Sequence, residues 1–182
     1  MKPGAITEYK LNRPRGPYEG RIRLYLTGFR EQNIVSVDEV VAAVARLPDA
    51  HLVGLKELVY DPNRTFLEQV DYRQWFHVAR SKGTFVQNHR KIMVFDFDSS
   101  AQFHHILYHE IGHYVFYLVL DSKIKKRWVT ELYPNSQHVS DYASRNASED
   151  FAESYAMYLL QPGVLKRIPG KFGFMEREVF DG

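Results

Sequence analysis

The sequence predicts an α+β fold with strands in its first half and two long helices in its second. Three observations carry that expectation. Short stretches of alternating or apolar character, bounded by turn residues, run through the first hundred positions; two long helical patterns follow; and no internal repeat links the halves. The chain has 182 residues, 45% hydrophobic and 25% charged, which is enough for a single domain with a proper core.

The elements follow in order. Residues 1–20 hold Pro3, Gly4, Pro14, Gly16, Pro17 and Gly20 and are expected to form an irregular basic arm ahead of one domain spanning 21–182. Residues 22–26 alternate as a strand should, and Gly28 ends them. Ser36 followed by Glu39 is a capping box; Val37, Val40, Val41 and Val44 then recur at helical spacing until Pro48 stops a helix over 36–47. Strands are expected at 52–60 and 75–79, and a hairpin from 84–87 and 91–97 around Asn88-His89-Arg90. After Asp98-Ser99-Ser100, residues 101–120 contain no Pro, only Gly112, and apolar side chains nearly all round, the pattern of a buried helix. The stretch 121–140 reads as irregular or weakly helical, with the run 123–127 a solvated surface. A last helix runs over 147–161, where Pro162-Gly163 ends it.

Composition narrows the chemistry. With no cysteine, the chain can form neither a disulfide nor a thiolate metal site, so any bound ion must take His or carboxylate ligands. A net charge of +2 implies no general attraction to nucleic acid, and a basic arm meeting an acidic partner is less economical than a solvated terminus. No signal peptide is visible in the opening residues, which favours a cytoplasmic location while leaving export by another route open. The most apolar stretch, 106–120, is too short and too polar to span a bilayer, so no membrane partner is expected.

The chemistry concentrates in His109-Glu110-Ile111-Gly112-His113, an H-E-x-x-H sequence. Residues four apart share a helix face, so the two imidazoles can converge on one tetrahedral ion. Glu110 projects about 100° round from His109 and can reach a water beside that ion without being a ligand. Gly112 sacrifices about 1 kcal/mol of helix propensity, which suits close packing rather than helix strength. Three unpaired polar groups on the most apolar helix would be expensive to bury, and a metal resolves that conflict.

Catalytic zinc keeps three protein ligands and one open vertex. The third ligand is expected in Asn146-Ala147-Ser148-Glu149-Asp150-Phe151-Ala152-Glu153, where Glu149 and Glu153 share a face. One can ligate while the other accepts the free N–H of a ligand histidine. Asp150 competes for the ligand role, and an ordinary acidic first helical turn capped by Asn146 is the bland alternative. His105 reads as packing or as a support behind the ligands, and His138 as a loop histidine.

H-E-I-G-H followed by Y-A-S-R-N-A-S-E-D-F-A-E-S-Y at 142–155 resembles the gluzincin-type metallopeptidases, the group of the anthrax lethal factor catalytic domain and the bacterial Pro-Pro endopeptidases. The resemblance covers roughly 83–162. It implies an α+β, zincin-like fold, with a mixed twisted sheet beside a buried active-site helix and a second glutamate-bearing helix. It also implies Zn2+ held by His109, His113 and Glu149, Glu153 as the supporting carboxylate, Glu110 as general base and Tyr142 as donor to the developing oxyanion. The activity implied is hydrolysis of a peptide or protein substrate, as an endopeptidase. The run E-D-F-A-E-S-Y-A-M-Y-L-L-Q-P is also similar to the end of the ImmA/IrrE-type regulatory peptidases, where Asn usually stands in place of Glu153; the metal ligands are the same. A non-catalytic, zinc-stabilised module that binds a protein partner is the alternative from another class. The oligomeric state is not legible.

Overall fold

The computed structural model describes residues 7–10, 22–65 and 81–181. The strand expected at 75–79 and the rest of the basic arm lie outside the described residues. The fold is mixed α+β, and the chain divides into two compact units, Met1–Leu107 and Tyr108–Gly182.

The first unit contains a five-stranded mixed sheet with strand order β1-β2-β3-β5-β4. Its strands are β1 (Thr7–Lys10), β2 (Arg23–Thr27), β3 (Glu57–Tyr60), β4 (Gly83–Val86) and β5 (Lys91–Val94). The three inner strands are parallel to one another, and β1 and β4 run antiparallel at the edges. Alternation sets the faces: Leu24 and Leu26 are buried while Arg23 and Tyr25 face out. Leu26 pairs with Leu58 and Leu58 with Ile92, so one buried apolar row crosses the parallel strands.

Two expectations are corrected in this unit. Thr7–Lys10, read as part of an irregular arm, is a strand paired with β2; the prolines and glycines of the arm flank this stretch rather than interrupt it. The strand expected over 52–60 shrinks to Glu57–Tyr60, because Asp49–His51 forms a 3-10 turn after Pro48 and Gly54 turns the chain at φ 89°. The other elements form, two of them with shorter bounds: the helix expected over 36–47 runs Val37–Ala45, and the strand expected over 91–97 ends at Val94. Ser36 caps α1 (Val37–Ala45) by accepting the Glu39 N–H, and Val40, Ala43 and Val44 are its buried face. Gly28, at φ 81°, sits so close to the Tyr60 carbonyl that a Cβ would collide with it. The hairpin closes through Gln87–His89, with Arg90 left-handed.

Helix α2 (Ser100–Tyr114) continues through a π-helical turn, Val115–Val119, and the chain leaves it at Leu120. In the first unit, Phe103 on its opening turns packs against Phe29 and Phe97.

The second unit is helical. After α2 come α3 (Ser122–Arg127), a π-helical turn at Trp128–Leu132, α4 (Tyr133–Asn135), α5 (Ala147–Leu160), α6 (Pro162–Leu165) and α7 (Pro169–Phe174). Of the two readings open for 121–140, irregular or weakly helical, the helical one holds as far as Asn135. Asp121 caps it through the Lys123 N–H, and one fully buried residue, Trp128, anchors an otherwise exposed surface. A single anchor gives no apolar period to read. Trp128 packs edge-on to Phe151 and Phe174 and donates its indole N–H to the Ala147 carbonyl. Helix α5 is capped by Asn146, which accepts from Ser148 and Glu149, and is buried continuously from Asp150 to Ala156. No described helix is long and apolar enough to cross a membrane.

Candidate metal centre

The predicted site residues all belong to the second unit. The last turns of α2 carry His109, Glu110 and His113, with His109 and Glu110 each only 7% exposed. The helical spacing brings the two imidazoles to a centroid separation of 4.7 Å at 84°. Gly112 lies between them and opposite α5. A Cβ there would stand 2.8 Å from the Ala152 Cα and 3.2 Å from the Tyr155 Cβ. The missing side chain thus lets two helix backbones approach closely, and the approach delivers the α5 carboxylates to the histidines.

Glu149 Oε2 lies 3.1 Å from His109 Nε2 and 3.2 Å from His113 Nε2. On the far side of His109, Nδ1 is 2.8 Å from Glu153 Oε1. The other Glu153 oxygen accepts the Ser140 hydroxyl at 3.0 Å, and Ser140 Oγ accepts the Ala143 N–H at 3.1 Å. Glu149 and Glu153 therefore divide two tasks, one facing both Nε2 atoms and the other fixing the remaining nitrogen of His109.

These residues fit a divalent ion. His109, His113 and Glu149 offer three ligand atoms within 4.8 Å of one another. Bonds of about 2.05 Å in a tetrahedral zinc site put neighbouring ligand atoms about 3.3 Å apart, close to the observed spacings. The charge balance points the same way. Three carboxylates, Glu110, Glu149 and Glu153, meet at buried or half-buried positions, and positive charge is needed to hold them there. His109 is the group beside them that can carry part of it. Burial opposes an imidazolium, but hydrogen bonds to Glu149 and Glu153 and the field of Glu110 outweigh it, pushing His109 up to about 10. Burial also opposes the Glu149 carboxylate, yet the bonds from His109 and His113 bring it down to about 2. The His113 Nδ1 is buried and has no hydrogen-bond partner among the described residues.

Tyr142 stands beside this cluster, 40% exposed, its ring 5.7 Å from that of His109 and tilted 63°. The Arg145 guanidinium lies 4.2 Å from the Tyr142 ring centroid. Burial, then Glu149 and Glu110, raise the phenol above its ordinary value, so it remains a donor at neutral pH.

Asp150, the competing ligand, is engaged elsewhere: it takes Lys171 Nζ at 2.5 Å and His138 Nδ1 at 3.1 Å. His138 is indeed on a loop, with that partner. His105 is half-buried on α2, one turn before His109. Sequence reasoning missed Ser140, Lys171 and Tyr117. Tyr117, 42% exposed on the π-helical turn, stacks over His113 at 6.2 Å and 21°. Its position four residues after His113 was the available signal; Ser140 and Lys171 carry none.

Comparison with protein-family models gives no match, and comparison with curated proteins gives none either.

Proposed function

We propose that the protein is a zinc-dependent metallopeptidase, an endopeptidase of gluzincin type on a zincin-like fold. The observation that carries this reading is the convergence of both H-E-x-x-H Nε2 atoms on one Glu149 oxygen, with Glu153 occupying the remaining nitrogen of His109. Two core histidines satisfying each other would not need two carboxylates from another helix.

His109, His113 and Glu149 would hold the ion. When bound, zinc supplies a Lewis acid that acidifies water and polarises a carbonyl. The chain's own residues do the rest. Glu110, buried next to His109, takes the proton of the attacking water and returns it to the leaving amine. Tyr142, held protonated, donates a hydrogen bond to the oxygen of the scissile carbonyl as negative charge develops on it. Glu153 accepts the Nδ1–H of His109, which fixes the tautomer and leaves Nε2 free to ligate.

The test is metal analysis of protein purified without chelator, followed by a peptide-library cleavage assay. Expected are one zinc per chain, lost in His113→Ala, and cleavage that falls about 10²–10⁴-fold in Glu110→Gln while zinc is retained. Tyr142→Phe should lower kcat about 10²-fold or more with zinc affinity unchanged. Protein that takes up no zinc refutes the reading, and one that keeps its function in Glu110→Gln is a zinc-stabilised binding module instead.

A further inference from the structure

We infer that Lys171 is a positioning residue, which fastens the 137–143 segment to α5 and thereby sets Ser140 on Glu153 and Tyr142 beside His109. The inference rests on the metallopeptidase reading for what the segment is positioned to do. Lys171 on α7 and Asp150 on α5 are both completely buried, at 0% side-chain exposure. Lys171 Nζ donates to Asp150 Oδ1 at 2.5 Å and to the Gln137 carbonyl at 2.7 Å. His138 Nδ1 lies 3.1 Å from the same Asp150 oxygen. One ammonium thus ties a helix and a loop together, and the next residue of that loop adds a second bond to the same carboxylate.

Stability alone is a poor reason for this arrangement. A buried ion pair must overcome the desolvation of both charges, and apolar residues of similar volume are often as stable. The network is also incomplete: Asp150 Oδ2 is buried and lacks a hydrogen-bond partner among the described residues. What the pair supplies is direction. Three residues further along α5, Glu153 takes the Ser140 hydroxyl, so the segment is fastened to one helix at two successive turns. Tyr142 sits just beyond the second fastening, where Ser140 Oγ also accepts the Ala143 N–H. The tyrosine is 40% exposed, so its flanks add to its ring contacts with His109 and Arg145 in setting its place.

The experiment replaces the charged pair by an apolar one, Asp150→Leu with Lys171→Met, in the full chain. The expected result is a folded protein in which amides 137–145 lose hydrogen-exchange protection while amides 151–158 of α5 keep theirs. Zinc affinity, measured by competition with a chromophoric chelator, should fall about tenfold. Ser140→Ala should weaken zinc in the parent protein yet add nothing in the apolar-pair background, because both act through the same contact with Glu153. Unchanged protection of 137–145 overturns the inference, as does a full Ser140→Ala effect in both backgrounds. Loss of protection throughout α5 also overturns it, since the pair would then hold the fold rather than the segment. Parent protein that binds no zinc would sink the peptidase reading alone, and the exchange comparison would still decide the role of Lys171.

Discussion

An alanine at position 112 would carry its Cβ to 2.8 Å from the Ala152 Cα and 3.3 Å from the Ala152 Cβ. Carbon atoms rest at about 3.5–4.0 Å, so the shortfall is about 0.7 Å or more, and a backbone atom cannot rotate out of the way. Helices α2 and α5 must part. Overpacking of this kind costs about 1–3 kcal/mol, against about 1 kcal/mol gained in helix propensity. The net loss is about 1 kcal/mol, or about 2–4 °C in Tm for a chain of this size. The same displacement reaches the metal ligands, since His113 follows Gly112 and Glu149 precedes Ala152 by three residues. Their Nε2–Oε2 spacing is 3.2 Å, and a metal site tolerates about 0.2 Å in its bond lengths. Gly112→Ala should therefore lower zinc affinity about tenfold besides lowering Tm. The assays are thermal denaturation and chelator competition, with Gly163→Ala as control because its added Cβ meets nothing within 4 Å. A Gly112→Ala protein that melts with the parent and binds zinc equally would refute the close approach of the two helices.

Protonation gives a second prediction. His109, pushed up to about 10 from 6.5, stabilises the ion-free fold fully below about pH 6.5, and that contribution is lost as pH rises through about 10. Glu149, brought down from 4.5 to about 2, contributes above about pH 4.5, and its part is lost as pH falls through about 2. Zinc must displace the Nε2 proton of His109, so calorimetry at pH 7.5 in two buffers of different ionisation enthalpy should register at least one proton released per ion. Binding without proton release would contradict the assignment of His109. A third prediction separates the two α5 glutamates: Glu153→Gln should weaken zinc about 10–100-fold, whereas Glu149→Gln, which alters a ligand, should weaken it more. Equal effects in chelator competition would mean that their roles are not distinct.

The cluster was legible in the sequence where helical spacing alone determines geometry. His109 and His113 share a face by their separation of four, as do Glu149 and Glu153, and the structure brings the two pairs together. Asp150 was ambiguous by residue type, though a rotation of about 100° from Glu149 separates their directions. The inference that Gly112 serves close packing follows the same logic and agrees with its contact with α5. Other features had no local signature. Lys171 meets Asp150 across 21 residues and Gln137 across 34, and Ser140 meets Glu153 from a loop with no period. The helix after Asp121 was legible only as one of two readings, irregular or weakly helical, because Trp128 is its one buried side chain. The strand at Thr7–Lys10 is four residues long and flanked by prolines and glycines, too short to show a period of its own.

The burial of Trp128 gives this protein an internal optical reporter. The chain has two tryptophans, and this indole lies between Phe151 and Phe174 with its N–H on the carbonyl of Ala147, two positions before Glu149. An indole shielded from water emits at shorter wavelength than a solvated one. With Trp75 replaced by Phe, the emission follows the anchoring of the glutamate helix at the very turn that carries Glu149, and no dye or label need be attached to watch it.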